Sequence, residues 1–383
     1  MLTRRFFLAA GSAGVASLSL PHMAFAAANT HRRFVFIIQR GAADGLAIVA
    51  PTGDPAFAGI RGEFAQDLAD GAKLGSFFTL NPVLAETAKL YAARQALFVH
   101  AVASPYRDRS HFDGQNVLET GGSAAYRLKD GWLNRLLTLL PASESKALAL
   151  SSTVPMALRG PQEVSSYAPS ALPTASDDLL ARVGRLYEND PQLHPLWTAA
   201  METRMTAGDL AGDRGQNGAQ TGALAAKLLA GDGARIVMIE TGGWDTHSGQ
   251  RGRLTAQLRG LDQLLAALKT GLGAEWANTL VVVATEFGRT VAPNGTGGTD
   301  HGTASAAMLL GGAVAGGKVV ADWPGLSQGE LYEGRDLRPT TDLDALIGAA
   351  LAQHYRLEPA RAMATLFPET RGTAFSERLI LAK

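Results

Sequence analysis

The sequence predicts an α/β fold, a mostly parallel sheet sandwiched between helices. Two patterns carry this. Six short, nearly continuous apolar runs rich in β-branched and aromatic residues read as strands buried on both faces. Amphipathic stretches of helical period lie between them, and that alternation marks a layered α/β protein. Length agrees: 383 residues is long for one domain but ordinary for a large single α/β unit.

The chain opens Met1-Leu2-Thr3-Arg4-Arg5-Phe6-Phe7-Leu8. An arginine pair before aromatic and aliphatic residues is the twin-arginine form of a bacterial export signal. The apolar stretch Leu8 to Leu20 is too short for a span of about twenty residues. Ala24-Phe25-Ala26 fits the small-x-small pattern cut by signal peptidase. We therefore expect residues 1–26 to be a removed signal peptide and 27–383 to be one domain, periplasmic or secreted. The expected export partner is the twin-arginine translocase, with no stable membrane insertion after processing. Removing the signal takes the count from 35 basic and 35 acidic residues to 33 and 35. That balance gives no reason to expect a nucleic-acid partner. Cysteine is absent, which excludes disulfides, thiol nucleophiles and thiolate metal sites.

Strands are expected at Arg33 to Gln39, Leu97 to Val102, Ala147 to Leu150, Ala234 to Ile239, Thr279 to Ala284 and Ala306 to Leu310. Helices are expected at Asn81 to Arg94, Phe112 to Thr120, Trp132 to Leu140, Asp177 to Tyr187, Ala219 to Ala230, Arg253 to Leu272 and Thr341 to Gln353. The stretch from about 165 to 218 reads as a helical insertion, ending in a Gly- and Asp-dense loop from Gly208 to Gly218.

Ligands of such sheets bind just beyond the carboxyl ends of the strands, so polar clusters there matter most. Asp44 follows the first strand within Gln39-Arg40-Gly41-Ala42-Ala43-Asp44-Gly45; it suits a metal ligand or a plain Asp-Gly turn. After the second strand comes Arg107-Asp108-Arg109-Ser110-His111-Phe112-Asp113. Ser110 stands at a helix start, where a hydroxyl can cap the helix or act as a nucleophile supported by free N–H groups. Arg107 and Arg109 supply charge for an anionic group. Gly242-Gly243-Trp244-Asp245-Thr246-His247 offers an acid and an imidazole two positions apart. Thr285-Glu286-Phe287-Gly288-Arg289 and Thr299-Asp300-His301-Gly302 add acids, a histidine and an arginine. Acids, histidines and a hydroxyl after separate strands, without thiolates, suit a divalent cation held by O and N donors.

These motifs, with the twin-arginine start, resemble the bacterial domain-of-unknown-function family 1501, grouped with the alkaline phosphatase and sulfatase superfamily. The resemblance implies an alkaline phosphatase-like fold and hydrolysis of phosphate or sulfate esters at one or two metals. It implies Asp44, Asp245, His247, Glu286 and His301 as metal residues and Ser110 as nucleophile; Asp300, beside His301, adds a further candidate ligand by its own chemistry. In such a mechanism Arg107, Arg109 or Arg289 is expected to clamp the non-bridging oxygens. Phe287 departs from the pattern, standing where a histidine is expected. Zinc or manganese suits the mixed set; calcium or magnesium would lean on the carboxylates alone. The expected substrate is a small-molecule or glycan ester. The competing expectation is a non-catalytic exported protein of the same fold, acting in binding or in assembly of surface structures. Gly312 to Lys318 has Walker-like spacing, but Val319 replaces the Ser/Thr that meets magnesium. Ala103 stands where a sulfatase-type modified Cys or Ser would be.

Export should need both arginines. An Arg4→Lys, Arg5→Lys variant should accumulate as unprocessed precursor in the cytoplasm, and normal appearance of the mature chain outside it would contradict the signal reading.

Overall fold

The computed structural model describes residues 32–168, 177–207, 217–231, 233–370 and 375–381. The expected signal peptide, residues 1–26, and most of the expected 208–218 loop lie outside them. Among the described residues no helix is long and apolar enough to cross a membrane.

Strands β1 (Arg33–Gln39), β2 (Val49–Ala50), β3 (Ala72–Leu74), β4 (Phe78–Leu80), β5 (Ala96–Ala103), β6 (Ala147–Leu150), β7 (Ser165–Ser166), β8 (Ile236–Thr241), β9 (Thr279–Ala284), β10 (Ser305–Leu310), β11 (Lys318–Val320) and β12 (Thr341–Asp342) form two sheets. The main sheet runs β11-β5-β10-β9-β1-β8-β6-β7, with β12 beside β5; a small one runs β2-β4-β3. Central β1 pairs in parallel with β8 and β9, in the registers Val35↔Val237 and Val35↔Val281. The fold is thus a mixed, mostly parallel sheet flanked by helices.

Alternate residues of β1 feed two cores, as the two-residue period of a strand requires. Phe34, Phe36 and Ile38 pack with Trp132, Leu346 and Leu366 on one face; Val35 and Ile37 pack with Leu229, Leu258 and Leu261 on the other. Helices Trp132–Leu137, Leu343–Tyr355 and Pro359–Leu366 cover the first face, and Gly218–Leu229 and Gln250–Leu272 the second. Trp132 is wholly buried, edge-on to Phe36 at 5.0 Å, with its indole N–H donated to the Leu118 carbonyl at 2.9 Å. Truncating a ring packed this way costs roughly 3–5 kcal/mol in other cores.

One strand departs from expectation. Ala306 to Leu310 lies in a strand, but β10 runs antiparallel to both β5 and β9. A parallel return needs a crossover, usually a helix, and the β9–β10 connection contains none. The reversal matters for function. It sets the start of β10, Ser305, beside Val102 near the carboxyl end of β5. The loop preceding β10 therefore joins the loops that follow β1, β5, β8 and β9 at one edge.

Within the first core, Asp344 is buried in the first turn of the helix Leu343–Tyr355. Its Oδ2 accepts from the Thr370 hydroxyl at 2.6 Å, and its Oδ1 has no partner. Burial, then the nearby charge of Asp342, pushes its carboxyl up to about 7. The folded value lies above the unfolded one, so the contribution to stability is full below the unfolded carboxyl pKa and is lost as pH rises through about 7. Asp344→Asn should remove that loss. The variant should gain on wild type between pH 5 and pH 8 by on the order of 2 kcal/mol in urea unfolding; an equal difference at both pH values would contradict it.

Candidate metal centre

Helix His111–Thr120 begins at the end of the β5 loop, and its first residue aims an imidazole into the sheet edge. His111, Asp245 and His301 form a group able to hold a metal ion, each offering a donor atom within 4.8 Å of the others. His111 Nε2 lies 3.4 Å from Asp245 Oδ2, and His301 Nε2 lies 3.4 Å from Asp245 Oδ1. His247 approaches from the side: its Nε2 is 3.1 Å from Asp245 Oδ1 and 2.9 Å from His301 Nε2. Tetrahedral zinc with bonds of about 2.0–2.1 Å spaces its nitrogen ligands about 3.3 Å apart. The donor separations here fit that size.

The outer partners of the three rings decide their tautomers. His111 Nδ1 meets Glu286 Oε1 at 2.9 Å, His301 Nδ1 meets the Arg109 carbonyl at 2.9 Å, and His247 Nδ1 meets Asp300 Oδ1 at 3.1 Å. Carbonyls and ionised carboxylates only accept, so in the neutral rings each Nδ1 carries the proton. Three Nε2 lone pairs then converge on the Asp245 carboxylate. No hydrogen bond reaches His111 Nε2, which is shielded from solvent. This outward anchoring of the second ring nitrogen is how proteins orient metal-binding histidines.

Charge around the group is arranged to match. Burial alone would raise Glu286, but hydrogen bonds from His111, Gln115 and the Gly41 N–H hold its carboxyl below the ordinary range. Asp245 is also held low: burial opposes, and the Arg289 guanidinium outweighs it. His111 is raised, first by its bond to Glu286, whereas burial and then the charge of His111 lower His301. Two glycines permit the close approaches. A Cβ on Gly41, at φ +119°, would sit 2.5 Å from the Asp245 nitrogen, and one on Gly298 would sit 2.3 Å from the His247 carbonyl.

The remaining residues singled out from sequence take varied places. Asp44 is buried; its Oδ2 pairs with Arg61 and accepts from Gln250 Nε2 at 2.5 Å, away from the His111–Asp245–His301 group, while its Oδ1 has no hydrogen-bond partner. Asp300 and Glu286 touch the rings from outside. Arg289 is enclosed; it donates to Asp245 Oδ1 at 2.7 Å and to Thr299 Oγ1 at 3.1 Å, and so presents no guanidinium to solvent. Arg109 donates to Asp336 at 2.9 Å and pairs with Glu333. Its φ of +59° is a left-handed conformation that a residue with a side chain adopts at a cost. Arg107 folds back on the carbonyls of Ser104 and Tyr106. Ser110 precedes His111 as the helix N-cap, yet its side chain makes no capping bond. Phe287, in the place expected of a histidine, stacks on the His111 ring at 5.1 Å. His111 was not selected from the sequence. The signal was there in Arg-Ser-His-Phe after a buried strand, but Ser110 beside it had a ready reading as cap or nucleophile.

Comparison with known proteins places the chain. The C-terminal periplasmic domain of EptC from Escherichia coli is similar at 11% identity and a TM-score of 0.38, over 93% of each chain. A phosphonate monoester hydrolase from Agrobacterium radiobacter is similar at 12% identity and a TM-score of 0.36, over 76% of this chain and 70% of that one. One from Silicibacter pomeroyi is similar at 11% identity and a TM-score of 0.38, over 89% and 77%. At these scores the likeness carries no argument about chemistry. No curated protein matches the sequence. The family described as protein of unknown function (DUF1501) matches residues 93–367, and the chain belongs to it.

Proposed function

We propose that this protein is an exported, metal-dependent hydrolase of phosphate or sulfate esters, with its cation held by His111, Asp245, His301 and His247. One observation carries the reading. Three imidazole Nε2 atoms and a carboxylate face one another while every Nδ1 faces an oxygen acceptor on the outside. Like lone pairs 2.9 Å apart repel; a shared cation turns that repulsion into binding. The N-rich donor set favours zinc or manganese over calcium or magnesium.

A cation bound there supplies Lewis acidity at a non-bridging ester oxygen and lowers the pKa of a nearby hydroxyl. The protein's own groups do the rest. Ser110 keeps its Oγ uncommitted at a helix N-terminus, one residue from His111, which suits a nucleophile. Arg289 orients Asp245, and Arg109 fixes the carbonyl that orients His301. Both arginines thus act on ligands rather than on the ester. A cavity of about 510 Å³ with Asn294, Asp300 and Arg335 on its wall borders the outer partners of His247 and His301. That volume suits a small-molecule or sugar-sized ester.

His247 favours a second reading. Four protein donors make a closed set, the kind that structural metals occupy. In that case the protein is a non-catalytic exported member of the family, acting in binding or assembly.

The test is thermal unfolding of chelator-treated protein with zinc, manganese, calcium or magnesium. A cation binding only the folded state at a hundred times its Kd adds about 2.7 kcal/mol. The midpoint should rise with zinc or manganese. His301→Ala should lose that rise, Glu286→Gln should weaken metal binding about 10- to 100-fold, and the exposed His194→Ala should behave as wild type. If no cation moves the midpoint and none co-purifies, the metal reading fails.

A further inference from the structure

We propose that His247 is an exchangeable ligand: its imidazole closes the metal centre at rest and yields its coordination position to an oxyanion. This rests on the metal reading above and separates its catalytic form from its structural one.

Three of the four donors are held from inside the protein. His111 leans on Glu286, whose side chain has no exposure, and Asp245 on the enclosed Arg289. His301 leans on the backbone carbonyl of Arg109. His247 is different. Its side chain is 46% exposed, against 23% for His111 and 26% for His301, and its partner Asp300 is 55% exposed. A hydrogen bond in water is worth little net, because water replaces it. Turning the imidazole outward costs less than moving either of the other rings.

The surroundings allow the ring to turn while the backbone stays. The His247 carbonyl accepts from Asn294 Nδ2 at 2.9 Å and from the Thr296 hydroxyl at 2.6 Å. Gly298 lies hard against the same peptide, with no room there for a side chain. Asp300 also accepts from Asn294 Nδ2 at 3.0 Å, so a departing imidazole leaves no unpartnered carboxylate. The side of the group that carries His111 is shut. Phe287 is buried, stacked on His111 and 5.3 Å from His301. An incoming ligand therefore reaches the group from the solvent side, where the His247 ring stands beside the 41% exposed Asp245 carboxylate. Charge selects an anion: a divalent cation with Asp245 as its single anionic ligand keeps one positive charge, which an oxyanion neutralises. The exchange breaks one nitrogen bond to the cation and forms one oxygen bond, with no net oxidation or proton loss.

Cobalt(II) loaded in place of zinc reports the exchange by its visible spectrum, with inorganic phosphate as the probe. Wild-type protein should bind cobalt, and phosphate should shift the spectrum. His247→Ala and His247→Gln should keep cobalt, and should bind phosphate about tenfold tighter if the open form is about a tenth of the wild-type population. His301→Ala should lose cobalt. The inference is overturned if the His247 variants lose cobalt as fully as His301→Ala, or bind phosphate no tighter than wild type. Wild-type protein that takes up no cobalt sinks the metal reading itself, a result distinct from cobalt uptake with unchanged phosphate affinity.

Discussion

Glu286 Oε1 accepts hydrogen bonds from the Gly41 N–H at 2.8 Å, from His111 Nδ1 at 2.9 Å and from Gln115 Nε2 at 3.0 Å. The carboxylate has no exposure. A buried charge without partners would be prohibitive, so these donors must stay where they are. They come from the loop after β1 and from the first two turns of the helix after β5, while Glu286 itself follows β9. One carboxylate thus fixes three strand ends relative to one another and, through His111, sets one wall of the candidate metal group. Moving any of the three would strip a hydrogen bond from a charge that has no water to replace it.

The same logic extends inward through a second chain of polar groups. Arg61 pairs with Asp44, Asp44 accepts from Gln250, and Gln250 Oε1 accepts from Thr299 and Thr246. Thr299 receives Arg289, and Arg289 ends on Asp245. Both arginines and Asp44 are buried, and the positive charges alternate with the carboxylates along the chain. Buried ion pairs contribute little net stability, but breaking one is costly. The network's value lies in position: the Asp245 carboxylate cannot rotate without disturbing the Arg289–Thr299–Gln250 hydrogen bonds beneath it.

Much of this was legible in the sequence because strands and strand ends leave local signatures. Apolar runs marked β1, β5, β6, β8 and β9 closely, and the search beyond their carboxyl ends found Asp245, His247, Glu286, Asp300 and His301. What was not legible depends on distant partners. Arg61 lies 17 positions beyond Asp44 on another element, and no spacing rule connects the two. Arg289 read as a free cation because burial of its guanidinium is a property of packing. The direction of β10 followed from the missing crossover helix rather than from its own composition. Short strands such as β2, β7 and β12 are two residues each and leave no period to detect. His111 was hidden by its neighbour, since a serine at a helix start has a sufficient bland explanation.

The contrast between rigid and loose ligands follows from where each loop lies relative to the core. His111 and Asp245 are supported by groups sealed beneath the sheet edge, where a lost hydrogen bond has no aqueous substitute. His247 projects from a peptide held equally firmly, but its ring reaches over the surface to a carboxylate in water. A metal-binding set that is both retained and opened, as proposed above, would require this asymmetry. Uniformly buried ligands would hold the cation in a closed cage, and uniformly exposed ones would hold it loosely or release it. The polar network supplies the retention. On the proposal above, the solvent-facing pair His247 and Asp300 would supply the opening, while buried Phe287 packs against His111 and His301.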